Sequence, residues 1–274
     1  MEKYLDLEGL TSYDKKIKAW FKSSVVDITD DEIQALFPVV QPNNEIWYTS
    51  SDGNVVNLVD AGGFIVNVVS NTYENGKGVI TFDGEVTRIG DAAFPDCSSL
   101  TTITIPNSVT HIGTIAFSNS GLTSIAIPNS VTSVDNEAFY KCSGLTSINI
   151  PDSVTVLGYN IFVGCSSLPT ENNLRYADTY LVEAVDKTLS IYSIKEGTKW
   201  IGEAVFDKCS ALTSITIPNS VMSIGQMAFA SCSSLTSITY TGTQDQWNTI
   251  TKGGGWNSLV PATHVQCTDG QVTL

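Results

Sequence analysis

Charge is what this sequence has least of. Only 15% of its 274 residues are charged, and 14 Lys and Arg stand against 28 Asp and Glu. A disordered chain would be richer in charge and poorer in apolar residues than the 42% found here. The chain is therefore expected to fold around a sizeable core, with a surface made polar mainly by Ser, Thr and Asn. Its formal net charge of −14 repels phosphate backbones and anionic membranes, which argues against nucleic-acid partners and serves solubility. The one basic cluster, Lys15, Lys16, Lys18 and Lys22, fits the wet face of a short helix. No apolar run approaches the ~20 residues of a membrane-spanning helix, so no membrane insertion is expected. The opening Met-Glu-Lys-Tyr-Leu-Asp-Leu-Glu lacks the n-region and h-region of a secretory signal.

Histidine is scarcer still, with only His111 and His264. No Ser/His/Asp arrangement can be argued from so few, and His111 reads as a surface residue at a position where other repeats carry Ser133 or Ser223. Phosphate loops, dinucleotide-binding glycine sets and zinc motifs are missing, so no cofactor or metal is expected. Asp178, Glu183 and Asp186 cluster but look like turn residues rather than paired catalytic carboxylates. The expectation is a non-enzymatic protein.

What is present is repetition. Ile105-Pro-Asn-Ser-Val-Thr-His-Ile-Gly returns as Ile127-Pro-Asn-Ser-Val-Thr-Ser-Val-Asp, Ile150-Pro-Asp-Ser-Val-Thr-Val-Leu-Gly and Ile217-Pro-Asn-Ser-Val-Met-Ser-Ile-Gly. Each leads to a Phe and then to Leu-Thr-Ser-Ile-x-Ile or a shortened form of it. The Phe residues are 94, 117, 139, 162, 206 and 229, spaced 23, 22, 23, 44 and 23. The Leu-x-x-Ile-x-Ile segment predicts a short strand with one side inward, ended by a Pro that cannot donate a ladder hydrogen bond. Val-x-x-Ile points in from an opposite wall, and Ala-Phe supplies a small residue and a large plug. One coil cannot bury this set, but coils stacked about 4.8 Å apart can. Five cysteines (97, 142, 165, 209 and 232) follow the repeat Phe by three residues, and the second repeat has none. They predict a ladder of buried thiols, with a disulfide between neighbours such as Cys142 and Cys165 conceivable, and Cys267 apart.

The motif Leu-Thr-Ser-Ile-x-Ile-Pro-x-Ser-Val-x-x-Ile-Gly-x-x-Ala-Phe-x-x-Cys resembles the BspA-like leucine-rich-repeat family over residues 86–240. The resemblance implies a mainly β repeat solenoid, a right-handed leucine-rich-repeat superhelix, and a binding or adhesion role at a cell surface. Tyr48-Thr-Ser-Ser-Asp-Gly and Val265-Gln-Cys-Thr-Asp-Gly resemble the leading and closing segments of such proteins. The missing signal peptide leaves a cytoplasmic or virion location open.

Four parts follow: a helical segment at 1–40, a β cap at 41–85, the repeats at 86–240 with an irregular one at 169–200, and a closing cap at 241–274 with Trp247 and Trp256. Together the first two make a small N-terminal α+β segment. Thr11-Ser-Tyr-Asp14 and Thr29-Asp-Asp-Glu32 are capping boxes for two helices. These could dock on the chain, pair with copies of themselves or anchor to another protein. The opening segment also resembles N-terminal segments of phage or prophage structural proteins, which supplies the alternative of a particle or assembly component. Residues 45–83 read as strands with turns at 51–53 and 75–76, the later strands capping the first repeat.

Two surfaces are candidates for a protein or glycan partner. One is the flat outward wall of the strands, including Thr102, Thr104, Ser214, Thr216 and Thr239. The other is the irregular repeat, where Arg175, Tyr176, Tyr180, Tyr192 and Trp200 either pack the insert onto the solenoid or form a contact patch.

Overall fold

The computed structural model describes residues 40–58 and 61–274. The chain separates into two units, 1–42 and 43–274. The two expected N-terminal helices lie outside the described residues. The second unit is a mainly β solenoid with two walls.

The first wall holds parallel strands Leu100–Thr104, Ser124–Ala126 and Ser147–Asn149, and resumes as Ile191–Ser193, Ser214–Ile217, Ser237–Tyr240 and His264–Cys267. The second holds Arg88–Ile89, His111–Ile112, Ser133–Val134 and Val156–Leu157, and resumes as Trp200–Ile201, Ser223–Ile224 and Thr251–Lys252. Between them the Pro carbonyl accepts the amide three residues on: Val109 from Pro106, Val131 from Pro128, Val154 from Pro151 and Val221 from Pro218, at 3.0–3.1 Å. The motif's Pro-x-x-Val is thus a turn that carries the chain from one wall to the other.

Inward side chains form ladders. Leu100, Leu122, Leu145, Leu168, Leu212 and Leu235 are buried in register, as are Ile103, Ile125, Ile215 and Ile238. The Phe rings 94, 117, 139 and 162 stack with centroids 5.3–5.6 Å apart and planes within 9°. Seating a Phe in every coil requires a sharp bend on either side of it. Ala92, Ile115, Glu137, Asn160, Ala204 and Met227 all adopt left-handed backbone at φ 49–57°, two residues before the Phe. For β-branched Ile115 that conformation is costly.

The cysteines are free thiols, all buried. Cys142, Cys165 and Cys232 donate their S–H to the carbonyls of Phe117, Phe139 and Phe206 on the preceding coil, at 3.0–3.1 Å. In the second repeat Ser120 takes the cysteine's place, buried, its hydroxyl 3.3 Å from the Cys142 sulfur. The repeat is shortened only after that point, where Gly121 passes so close to the previous coil that a Cβ would lie 2.0 Å from the Ser98 carbonyl oxygen.

The irregular repeat does not continue the first wall. Thr170–Glu171, Leu174–Ala177 and Tyr180–Ala184 fold into an antiparallel meander, turning at Asn172-Asn173 and at Asp178-Thr179. Tyr180–Ala184 joins Trp200–Ile201 of the second wall in parallel. The meander is covered on both sides. Ala177, Tyr180 and Val182 belong to the core of the preceding coils, and Leu174, Tyr176, Leu181 and Ala184 to the core of the following ones. It is a bulkhead between two hydrophobic cores.

At the N-terminal end, Glu45–Ser50 lies antiparallel to Leu100–Thr104 with Trp47 opposite Thr104 and Tyr48 opposite Ile103. Among the strands of 45–83, this first one makes the direct pairing with the first coil, and Phe64 packs edge-on against Phe94 beneath it. The hairpin Val68–Glu74 and Lys77–Phe82 stands outside it, closed by Asn75-Gly76 at φ 51° and 80°. Both residues having positive φ is the demand of a type I′ turn. At the other end the helix Gln244–Thr249 is held by a Thr243–Gln246 capping box and seats Trp247. Trp247 and Trp256 are buried edge-to-face at 5.8 Å, closing the last coil.

Candidate binding wall

The outward side of the first wall is what the regular coils present. Thr49 faces Thr102, Thr102 faces Ser124, and Ser124 faces Ser147; Ala126 faces Asn149. Beyond the bulkhead, Ile191 faces Ser214 and Ser214 faces Ser237, while Ser193, Thr216, Thr239 and Gln266 form a second row. Because neighbouring strands lie about 4.8 Å apart, each row sets side chains, most of them small and hydroxylic, at that interval.

The threonine hydroxyls one residue earlier on these strands are engaged along the coils. Thr123 donates to the Thr101 carbonyl at 3.2 Å, Thr146 to Thr123 at 2.9 Å and Thr213 to Ser190 at 3.1 Å. Of the residues anticipated from sequence, Thr104 and Thr216 are exposed, and Thr102, Ser214 and Thr239 are half-buried. Thr102 Oγ1 lies 2.6 Å from Thr49 Oγ1, so it serves the cap as much as the surface.

Of the two placements open to the insert's aromatic residues, packing onto the solenoid or a contact patch, they take the first. Tyr176, Tyr180, Tyr192 and Trp200 are each no more than 6% exposed, which leaves a partner almost no ring to touch. The reason is the bulkhead: a sheet with a core on either side draws its large side chains inward. Tyr180 sits edge-on against Phe162 at 5.3 Å, and burial raises its hydroxyl pKa. Tyr192 tilts against Phe206 at 5.2 Å and donates to the Asp186 carbonyl. The Tyr176 hydroxyl accepts the Lys195 amide at 3.0 Å. Arg175 is a staple. Its Nε donates to Glu183 at 2.7 Å, and Nη1 donates to the carbonyls of Ser166 and Leu168. Asp178 accepts the Ile150 amide at 2.8 Å, and Asp186 caps its own turn at Thr188.

Sequence reasoning missed Trp47. The burial of Glu45–Ser50 alternates, with Ile46, Tyr48 and Ser50 in and Glu45, Trp47 and Thr49 out. The alternation was visible in Glu-Ile-Trp-Tyr-Thr-Ser, but it gains meaning only when this strand joins the wall. Trp47 then stands beside Thr104, its indole N–H donating to Glu45 at 2.6 Å and Lys77 Nζ lying 3.2 Å from its ring centroid.

On the second wall the structure assembles what two histidines gave no ground to expect. His111 Nδ1 lies 2.6 Å from Ser133 Oγ, and His111 Nε2 lies 2.9 Å from Asp135 Oδ2. Among the described residues no three His, Cys, Asp or Glu side chains gather as a metal site, and no helix is long and apolar enough to cross a membrane.

The family description "BspA type Leucine rich repeat region" matches residues 71–181 and 137–252, in six copies. Among solved structures, the chain is similar to a leucine-rich-repeat protein of T. pallidum, with 24% identity, 66% of this chain and 73% of that one covered, and a TM-score of 0.38. It is also similar to a leucine-rich cell surface protein of Faecalibacterium prausnitzii, with 22% identity, 61% and 79% covered, and a TM-score of 0.26. A leucine-rich-repeat protein of Bacteroides ovatus shares 25% identity over 66% of this chain and 58% of its own, with a TM-score of 0.35. No curated protein matches.

Proposed function

Since the chain belongs to the BspA-type leucine-rich-repeat family, we propose that it is a recognition module that works by contact, with no reaction at its contact surface. The surface is the outward first wall ahead of the bulkhead, and the partner is a glycan or protein. The observation that carries this reading is the placement of half-buried Trp47 beside Thr104, at the head of rows of small hydroxyl and amide side chains ending in Ser147 and Asn149. Aromatic anchors amid polar groups on a rigid frame are the usual makings of a contact site. A sugar ring stacks on an indole and takes hydrogen bonds from hydroxyls and amides around it. The excess of carboxylates disfavours polyanionic partners.

The test is binding to a glycan array and to surface-protein extracts by the full chain, then by Trp47→Ala and Thr104→Ala variants, with Thr216→Ala as control beyond the bulkhead. Loss of about tenfold or more in Trp47→Ala alone would support the reading. Equal binding by wild type and Trp47→Ala would sink it.

A further inference from the structure

We infer that Ser133, His111 and Asp135 on the second wall form an activated nucleophile that is acylated by carboxylic esters with a short apolar acyl group. This goes beyond the recognition reading, and either can fail without the other.

For a neutral His111 imidazole the two contacts assign the roles. A carboxylate can only accept, so Nε2 of His111 carries the proton directed at Asp135, 2.9 Å away. Nδ1 is then the acceptor, and the Ser133 hydroxyl 2.6 Å away is its donor. Serine donating to an imidazole whose other nitrogen is held by a carboxylate is the arrangement general-base catalysis requires, here with the two ring nitrogens exchanged relative to the chymotrypsin pattern. Side-chain exposures of 29% for His111 and 35% for Asp135 leave the group open to a reactant.

The fold does not ask for this group. His111 occupies a variable position, which other coils fill with Arg88, Ser133, Val156, Trp200 or Ser223. Asp135 stands where the other coils have Gly90, Gly113, Gly158, Gly202 and Gly225. Those glycines let adjacent coils approach closely: a Cβ on Gly158 would lie 2.3 Å from the Asn136 amide nitrogen, and one on Gly225 2.6 Å from that of Glu203. Asp135, a departure from the repeat at a crowded position, meets His111 and Ser133 in one hydrogen-bonded chain. On the far side of Ser133 its cross-strand neighbour is Val156, which is 58% exposed, with Tyr159 52% exposed on the same coil. Exposed Val156 beside the hydroxyl is where an acyl chain would lie.

In the reaction Ser133 Oγ attacks the ester carbonyl carbon while its proton passes to His111 Nδ1. The bond from that carbon to the alcohol oxygen breaks, the leaving oxygen takes the proton, and an acyl-serine remains. Water, deprotonated by the same nitrogen, then releases the acid and restores Ser133. Ser133 and His111 are the catalytic residues and Asp135 a positioning residue. General-base assistance of this kind contributes about 10²–10⁴-fold.

The probe is p-nitrophenyl butyrate added to the full chain, read by intact mass and peptide mapping. Wild type should gain one butyryl group on Ser133, and Ser133→Ala none there. His111→Ser and Asp135→Gly both restore residues that other coils carry, so they keep the fold. His111→Ser should slow acylation about 10²-fold. Asp135→Gly should lower the limiting rate without changing the probe concentration at half-maximal rate, and Asp135→Glu should recover part of it. Acylation confined to other residues, or a His111→Ser rate equal to wild type, would overturn the assignment.

Discussion

The coils on either side of the bulkhead use the same motif but end their cores differently. Before it, four Phe rings stack nearly parallel, and the stack is closed edge-on by Phe64 at 73° and Tyr180 at 67°. After it, only Phe206 and Phe229 stack, at 4.9 Å and 10°, closed by Tyr192 at 59° and Trp256 at 83°. A repeating ladder has no intrinsic end, and a turned aromatic ring supplies one by offering its edge to the last face. The insert is therefore a double terminator, with Tyr180 and Tyr192 each closing one stack. The fold keeps its wall-to-wall regularity while the core is cut in two.

The comparison breaks most severely through the longer stack. Phe139→Ala removes a ring with neighbours on both faces and should cost about 3–5 kcal/mol, measured by urea unfolding. Tyr180→Ala should cost somewhat less, since Tyr180 has one ring neighbour, but it should have a second effect. Leu181 and Val182 are adjacent in sequence yet belong to different cores, which ties the two halves together. Wild type should unfold in one transition by both tryptophan fluorescence and circular dichroism, and Tyr180→Ala should separate the two curves. Coincident curves in the variant would mean the halves are coupled elsewhere. Arg175→Ala should cost about 1–3 kcal/mol, because it leaves the Ser166 and Leu168 carbonyls without their donor.

How much of this was legible in sequence follows the same division. The repeat positions specified the walls, the turns and the ladders, because each coil's residues bury against identical residues next door. Trp247 and Trp256 were legible as a cap because a solenoid end must be covered. The insert was legible as a hairpin from Asp178, but its aromatics left two readings open, packing onto the solenoid and surface contact. Nothing in Leu-Arg-Tyr-Ala-Asp-Thr-Tyr-Leu-Val says that a second core lies behind it. Trp47 and the His111 group were hidden for a related reason. Both depend on register between segments: Trp47 lies 57 residues from Thr104, and His111 lies 22 from Ser133.

The smallest expected effect sharpens the comparison by affecting both halves alike. Burial pushes the Cys97 thiol, before the bulkhead, up to about 11, and the Cys232 thiol, after it, up to about 12, from an ordinary value near 9. A raised acid is protonated in the folded state at pH values where the unfolded chain has begun to ionise. The thiols' contribution to stability is thus complete below about pH 9 and is lost progressively as pH rises towards 11–12. Stability measured from pH 8 to 11 should fall, and a Cys97→Ala, Cys232→Ala variant should fall less steeply. Alkylation of the native protein at pH 8 should be slow at both thiols, with all six labelled only after unfolding. Rapid labelling of one thiol alone would show that its half of the solenoid opens locally, and that the bulkhead separates two stabilities as well as two cores.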